Sequence, residues 1–524
     1  MGAKDKSLVA IEERPSPTVS LDKPSVEWVE ESKDEETGVV DIDQYSDIDE
    51  KKLLWKIDLH LIPLFTVLYL LSFLDRGNIG NAKIEGLAED LNLEGNQYNL
   101  CLTIFFIFYA SFEIPSNIIL HHVKPRLYIP TTMVLWSIVM TLMGTVQNFD
   151  QLMATRALLG LFEASLFPGI SYILSMYYKK SEILVREAIF FSAASIAGAF
   201  SGLLAAAISQ MDGIGGYEGW RWIFILEGLL TFVAAAGSYF CFPLYPKDST
   251  FLTPREREFV VNRVKFSSNA ENQKMTGAGA PPSMNLGEDN SGNISNVWAV
   301  FKDWQSWCQL MTYYGICVPL YGVSLFTPTI VKNLGYTSTK AQLMSAPVYI
   351  VAAIFCIFQA WVSDRVGLRT PFMIFNLICI AVGYSICLAL SPTTSPGAVY
   401  AGVYIMALGI YSAFPLVVIW FSNNLAGSYK RAVGMAFQIG IGNFAGAFSS
   451  NFYREQDAPE YTLGHALELG FSLMGLLFTF ITIAGYVASN RKKKRNLAAG
   501  KYDGIPPEEL VKMGDKSPHF VYRL

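Results

Sequence analysis

The sequence predicts an all-α membrane protein, with twelve transmembrane helices in two six-helix bundles joined by a long polar loop. Three observations carry that prediction: an apolar surplus too large for one soluble core, apolar runs of membrane-spanning length, and basic loops that alternate along the chain. Of 524 residues, 52% are hydrophobic and only 16% charged, where soluble domains run near 25% charged. Such a surplus cannot be buried within one globule, so much of it must face lipid.

Runs of about twenty apolar residues recur near Ile57–Ile79, Gln97–Leu120, Tyr128–Val146, Leu152–Tyr177, Ala188–Ser209 and Trp222–Phe242, taken in order as spans 1 to 6. Spans 7 to 12 follow near Trp307–Val331, Ala341–Val362, Pro371–Ser391, Val399–Phe421, Ala432–Phe452 and His465–Ser489. Between the two sets lies a charged loop, residues 244–303, centrally rich in Gly, Ser, Asn and Pro. The expected organisation is therefore an acidic tail (1–50), a first bundle (51–243), the central loop, a second bundle (304–490) and a basic tail (491–524). Residues 25–50 hold eleven acids and one base, Lys33, and show no periodicity. Such a composition reads as a solvated, disordered tail.

Loop charge orients the spans. The short loops after spans 2, 4, 8 and 10 carry Lys124 and Arg126, Lys179, Lys180 and Arg186, Arg365 and Arg369, and Lys430 and Arg431. Those after spans 3 and 9 carry neither Lys nor Arg. Lys51, Lys52 and Lys56 precede span 1, and the run Arg491–Arg495 follows span 12. The positive-inside rule then expects both termini and every even loop in the cytoplasm, with the plasma membrane as the default location. The seven cysteines fall in apolar segments without a C-x-x-C and read as small buried hydrophobes. No metal-spaced cluster, nucleophile–base pair or phosphate-binding loop occurs in the spans. An enzyme, an ATP-driven pump, a cofactor, a bound metal and a nucleic-acid partner are therefore not expected.

Ionisable groups inside lipid cost several kcal/mol unless paired or solvated, so each is a functional candidate. Four stand out: Asp75 and Arg76 late in span 1, and Arg156 and Glu163 in span 4. A spacing of seven puts Arg156 and Glu163 on one helix face, roughly 10 Å apart along the axis. A guanidinium grips a carboxylate bidentately, which an ammonium cannot, so both arginines point to an anion. A buried carboxyl can exchange a proton near physiological pH, so Asp75 and Glu163 are the candidate proton-coupling groups. The bland alternative is that two acids and two bases neutralise one another and merely tie the helices together.

Further polar residues are expected to line a path or brace a helix. Asn443, inside the Gly-rich span 11, is the favoured substrate contact among them, ahead of Tyr313, Tyr314, Tyr321, Ser324, Gln342, Tyr349 and Gln438. Glu113 can reach Asn117, Glu227 reads as an anchor at the start of span 6, and His60 and His465 read as interfacial. The halves echo each other: Gly198-x-x-x-Gly202 in span 5 matches Gly442-x-x-x-Gly446 in span 11, small-residue faces that let helices approach closely. Asp364, Arg365, Gly367 and Arg369 form a basic turn after span 8, expected to act in conformational gating. Pro168-Gly169 and Pro319 are expected to kink spans 4 and 7.

Several motifs are specific enough to compare with a family. L-D-R-G-N-I-G-N-A (74–82), E-I-P-S-N (113–117), R-A-L-L-G-L-F-E-A (156–164), G-W-R-W-I-F-I-L-E-G (219–228), S-D-R-V-G-L-R (363–369) and S-N-N (422–424) with Lys430-Arg431 are such signatures. With them, over roughly residues 50–490 and the tail Ser517-Pro518-His519-Phe520, the chain resembles the major facilitator superfamily. It looks like the fungal branch of the anion:cation symporter family that includes allantoate and nicotinate permeases. The resemblance implies a major facilitator fold, alternating access, and proton-coupled uptake of organic anions. It assigns Arg76 and Arg156 to anion binding and Asp75 and Glu163 to proton coupling. Two departures stand out. Phe73 and Leu74 occupy the place where relatives with acid-sugar substrates carry a Tyr, and the loop after span 2 lacks the usual acid. A nutrient sensor, keeping the fold but signalling through its tails, is the competing function. Oligomeric state is not legible in the sequence.

Overall fold

A hydrocarbon interior offers backbone N–H and C=O groups no partner, so a chain crossing it must satisfy them internally. The computed structural model describes residues 48–275, 294–426, 428–502, 504–506, 509–510 and 513–524, and among these it forms helices and no strand. The expected acidic tail lies almost wholly outside the described residues. Its end serves the first helix as a cap, since the Asp49 side chain accepts from the Lys51 and Lys52 backbone N–H groups.

Span 1 is Glu50–Ile84, span 2 Gln97–His122, span 3 Pro125–Met143, span 5 Lys180–Ile208 and span 6 Gly219–Cys241. Span 4 comes in two pieces, Phe149–Glu163 and Leu166–Tyr177. In the second half, span 7 is Trp304–Lys332, span 8 Ser338–Val366, span 9 Thr370–Ala389, span 10 Pro396–Asn423 and span 12 Thr462–Ala498. Span 11 is again broken, into Ser428–Gly442 and Ala445–Ser449. Ten of these are long and apolar enough to cross a membrane. The other two, spans 2 and 11, pack along the first piece of span 4 and against span 7 respectively. In the first bundle span 1 lies against spans 5 and 6, and span 3 against spans 4 and 6; in the second, span 7 packs on span 12 and span 9 on span 10.

The break in span 4 follows from its proline, though not at the proline. Pro168 has no N–H to donate to the carbonyl four residues earlier, at Ala164. The helix stops at Glu163 and resumes at Leu166. Span 7 runs through Pro319 and Pro328 as one helix. The break in span 11 falls at Asn443.

The halves meet chiefly along spans 5 and 8, with further contacts of span 1 on span 7 and span 2 on span 11. The paired glycines serve these junctions. A Cβ on Gly202 would stand 3.0 Å from the Gln342 carbonyl oxygen of span 8, and one on Gly446 would run into the Phe106 ring of span 2. At the same end, Gln342 donates to Glu85 at 3.2 Å, Asn451 donates to Thr103 at 2.8 Å, and Thr103 and Ser450 hydroxyls lie 3.0 Å apart. The halves are thus sewn together at the face opposite the basic loops.

The basic face is built by ion pairs. The central loop contributes a helix, Pro254–Met275. From it Arg263, 3% exposed, reaches Glu50 at 3.1 Å and Glu182 at 3.0 Å, and Glu256 receives Lys56 at 2.8 Å. Partial burial raises the Glu256 carboxyl, but Lys56 and Thr253 outweigh it and hold the group below its ordinary value.

Span 12 carries the Arg491–Arg495 run on its own helix, and residues 513–524 fold back under the second bundle. Tyr522 stacks on Tyr486 at 4.7 Å, Trp420 donates to the Arg523 carbonyl, and buried Asp515 receives Lys430 at 2.6 Å. Four cysteines are buried as expected; Cys241 is exposed and Cys308 and Cys379 partly so. His60 lies flat on Phe251, ring centroids 4.4 Å apart. His465, expected at an interface, is 3% exposed and 3.3 Å from the Tyr453 hydroxyl, because span 12 begins inside the packed second bundle.

Candidate transport site

Four charged side chains of the first bundle are nearly sealed: Asp75 is 1% exposed, Arg76 4%, Arg156 0% and Glu163 1%. Their pairing differs from what their spacing suggests. Arg76 turns to span 4, where Nη2 donates to Glu163 Oε1 at 2.7 Å and Nε to the same oxygen at 3.2 Å. The Ser72 hydroxyl, one turn earlier on span 1, donates to that oxygen at 2.6 Å. The helix break after Glu163 leaves this acid at the end of the first piece of span 4. Its other oxygen, Oε2, is buried and has no partner among the described residues.

Arg156 shares a helix face with Glu163 but not a hydrogen bond. All three of its guanidinium nitrogens are buried and lack a hydrogen-bond partner among the described residues. What it meets instead is an aromatic face: its Cζ stands 4.9 Å from the centroid of Phe105. Arg76 lies on the same ring at 5.4 Å, and on Phe73 and Tyr109 at 4.8 Å each. Aromatic quadrupoles partly offset the burial of the cations. They do not supply the acceptor oxygens that a desolvated guanidinium needs.

Phe105, Tyr109 and Glu113 follow one another at intervals of four, and so lie on one face of span 2. Sequence reasoning picked out Glu113 from that stripe and missed the two rings, although the spacing was visible. Tyr109 also bears on the missing tyrosine of span 1, since a phenol ring reaches Arg76 from span 2. Ser72, Trp136 and Thr231 were likewise not picked out; a single hydroxyl or indole in an apolar helix carries no signal by itself.

Asp75 does not bond to its neighbour Arg76. It accepts from the Trp136 indole at 3.1 Å and the Thr231 hydroxyl at 2.9 Å, facing spans 3 and 6. Consecutive residues on a helix point about 100° apart, which lets one turn of span 1 serve two sets of partners.

Asn443 lies at the break of span 11 and is 5% exposed. Its Nδ2 donates to Glu113 Oε2 of span 2 at 2.6 Å, and its Oδ1 accepts from the Tyr321 hydroxyl of span 7 at 2.8 Å. This chain of bonds ties the two halves together at the centre. The side chain of Asn117, the expected partner of Glu113, lies outside the described residues. Gln438 and Tyr313 are also buried at the centre; neither amide atom of Gln438 nor the Tyr313 hydroxyl has a partner among the described residues. Tyr314, Gln342 and Tyr349 are bonded to Ile441, Glu85 and Val323 respectively. Glu227, expected to anchor the start of span 6, instead accepts from Asn78 of span 1. The anchor is Arg221, which binds Glu218 and the Gly144 and Val146 carbonyls.

The basic turn after span 8 has defined geometry. Arg369 bonds to Asp364 and, at 2.8 Å, to Ser363; Gly367 adopts a φ of 73°, and Arg365 lies 4.1 Å over Trp361. Only glycine takes that φ freely.

Comparison with known proteins agrees with this architecture. The model of the Major Facilitator Superfamily matches residues 65–450. The chain is 34% identical to the MFS-type transporter cnsO of Penicillium expansum, covering 92% of each. It is 32% identical to the high-affinity nicotinic acid transporter of Saccharomyces cerevisiae, covering 90% of this chain and 85% of that one. A crystal structure of a bacterial homolog of the human lysosomal transporter Spinster, inward-facing and occupied, superposes with a TM-score of 0.57 at 15% identity over 81% of this chain and 96% of that one. With a family match across most of its length, helices to suit and relatives that are transporters rather than enzymes, this chain belongs to the Major Facilitator Superfamily.

Proposed function

We propose that the protein takes up a small organic anion, a carboxylate of the size of nicotinate, in symport with protons. The observation that carries this reading is Arg156: a wholly buried guanidinium whose nitrogens have no acceptor among the described residues. An unpaired buried cation is costly, and the protein keeps its cost low only when an anion arrives to accept from it. A carboxylate fits the fork of that guanidinium bidentately. Arg76, already bound to Glu163, supplies a second positive charge nearby. The nicotinic acid transporter among the relatives gives the substrate class its first candidate.

Glu163 is the natural proton carrier for this site. Protonating it releases Arg76 to the substrate; losing the proton on the other side restores the Arg76–Glu163 pair and expels the anion. Asn443, between Glu113 and Tyr321, reads as a residue that senses closure of the halves and contacts substrate when they part. The basic turn of Asp364, Arg365, Gly367 and Arg369 acts in gating. The basic clusters support cytoplasmic termini, on which reading the closed face of the molecule is the outer one. The plasma membrane is the default location.

The test is uptake of labelled carboxylates, nicotinate first, into cells lacking their own carriers. The expected result is accumulation that rises with external acidity and collapses with a protonophore. Uptake indifferent to both would remove proton symport, and a panel in which only neutral or cationic solutes enter would remove the anion. Epitope tags appended before Met1 and after Leu524 should be detected only in permeabilised cells.

A further inference from the structure

Asp75 and Glu227 form a second buried polar centre, separate from the arginine site. On span 1, Asp75 and Asn78 lie one turn apart; on span 6, so do Glu227 and Thr231. The antiparallel helices join them as two rungs. Thr231 Oγ1 donates to Asp75 Oδ2 at 2.9 Å, and Asn78 Nδ2 donates to Glu227 Oε2 at 2.6 Å. Trp136 adds a second donor to Asp75 Oδ2. Each carboxyl thus receives its donors on one oxygen. The others, Asp75 Oδ1 and Glu227 Oε1, are buried without a partner among the described residues.

The elements packed on this turn supply few counter-charges. Span 3 offers Trp136; span 5 offers Ser201, bonded to Asn81 at 2.5 Å; span 6 offers Thr231 and Glu227. Span 4 brings Glu163, which is held by Arg76, and Arg156. Arg221, the basic residue of span 6, is bound to Glu218. Among the described residues neither Asp75 nor Glu227 has an ion pair. Two acids buried at successive rungs without a cation cannot both be charged: desolvation and mutual repulsion act against the second charge.

We propose that Glu227 joins the already expected Asp75 as a working member of a buried proton-carrying pair, rather than serving as a helix anchor. This rests on the proton-coupled reading given above. A hydronium transfers its proton to one of the unpartnered oxygens and leaves as water. The new O–H bond later breaks to a water on the other side, restoring the carboxylate. Asp75 adjoins Arg76 in sequence, so a change of charge on the pair acts on the same turn of span 1 that carries the anion site.

The test reads the proton directly on the purified full-length chain. Infrared difference spectra at neutral pH, parent against the Asp75→Asn/Glu227→Gln double variant, should show a protonated-carboxyl band in the parent alone. Glu227→Gln by itself should shift the acid-driven uptake of labelled nicotinate to lower pH. Identical spectra for parent and double variant would overturn the pair as a proton site. An unshifted uptake profile in Glu227→Gln would return Glu227 to a structural role. Thermal stabilisation by sodium chloride over choline chloride, lost in the double variant, would assign the site to sodium and overturn the proton. Should Glu227→Gln not accumulate, Asn78→Ala removes a donor but keeps both acids, and its carboxyl band should move; an unmoved band overturns the assignment. Absence of nicotinate uptake in the parent bears on the proposed substrate, while the spectra still decide the pair.

Discussion

Replacing Arg156 with Gln should weaken substrate binding while leaving the folded protein at least as stable, whereas Arg76→Gln should also destabilise the substrate-free protein. The difference follows from their partners. Arg156 has none of its nitrogens hydrogen-bonded among the described residues, so its removal orphans no acceptor and relieves a buried charge. Arg76 is bound twice to Glu163, and its loss leaves that carboxylate with only the Ser72 hydroxyl. Breaking one side of a buried ion pair costs about 3–5 kcal/mol. For the substrate, losing a buried bidentate charge partner costs about 2–5 kcal/mol. At about 1.4 kcal/mol per decade, that is roughly thirty-fold to a few thousand-fold in affinity. The assay pairs thermal denaturation of the purified, substrate-free protein with competition by the transported carboxylate in counterflow. Adding Glu163→Gln to Arg76→Gln should recover most of the lost stability, because the unpaired charge is gone. A substrate-free Arg156→Gln protein less stable than Arg76→Gln, or one with parental affinity, would refute the assignment of Arg156 as the open half of an anion site.

Glu163→Gln should retain exchange of labelled for unlabelled substrate but lose uphill, proton-driven uptake, because amide and neutral acid share a shape and only the acid cycles; equal loss of both removes it from coupling. Asn443→Ala breaks the link from Glu113 to Tyr321, and should raise labelling by an external thiol reagent of single cysteines placed at Thr103 or Ser450 on the closed face; unchanged labelling would show that this link does not hold the halves. Asp515→Asn strips Lys430 of one of its two buried partners. It should lower thermal stability by about 1–3 kcal/mol, read by denaturation in detergent; no change would mean the tail is not part of the second bundle.

The span count and the charged candidates were legible because both rest on local chemistry: hydropathy over twenty residues, and ionisable groups where lipid forbids them. Pairing was not. A spacing of seven placed Arg156 and Glu163 on one face, yet Arg76 takes Glu163 from another helix, a choice made by the rotation of span 1 against span 4. Asp75 and Arg76 look like a natural pair in sequence, but the turn between consecutive residues sends one to spans 3 and 6 and the other to span 4. The seat of the tail was not legible for a different reason: Trp420, Tyr486 and Tyr522, scattered over a hundred residues, make the apolar cluster against which residues 513–524 fold. Glu227 and Arg221 sit in one motif, and composition cannot tell which of them anchors the helix.

One turn of span 1 gives the coupling problem a physical form. Arg76 is committed to Glu163 in the state with the halves closed on one face. Under the proposed symport, an entering anion would compete with that carboxylate, and protonating Glu163 would resolve the competition, making substrate and proton interdependent without direct contact. The break in span 4 falls at this acid: Glu163 ends the first helix piece. Asn443 lies at a break in the other half, in span 11, and is tied across the interface to Glu113. Both breaks fall beside the candidate site residues, which is where discontinuous helices place transport sites in other carriers. Straightening span 4 by Pro168→Ala restores the donor to the Ala164 carbonyl. It should therefore slow transport turnover while leaving binding by Arg156 in place, and equal losses in both would show that the break serves only packing.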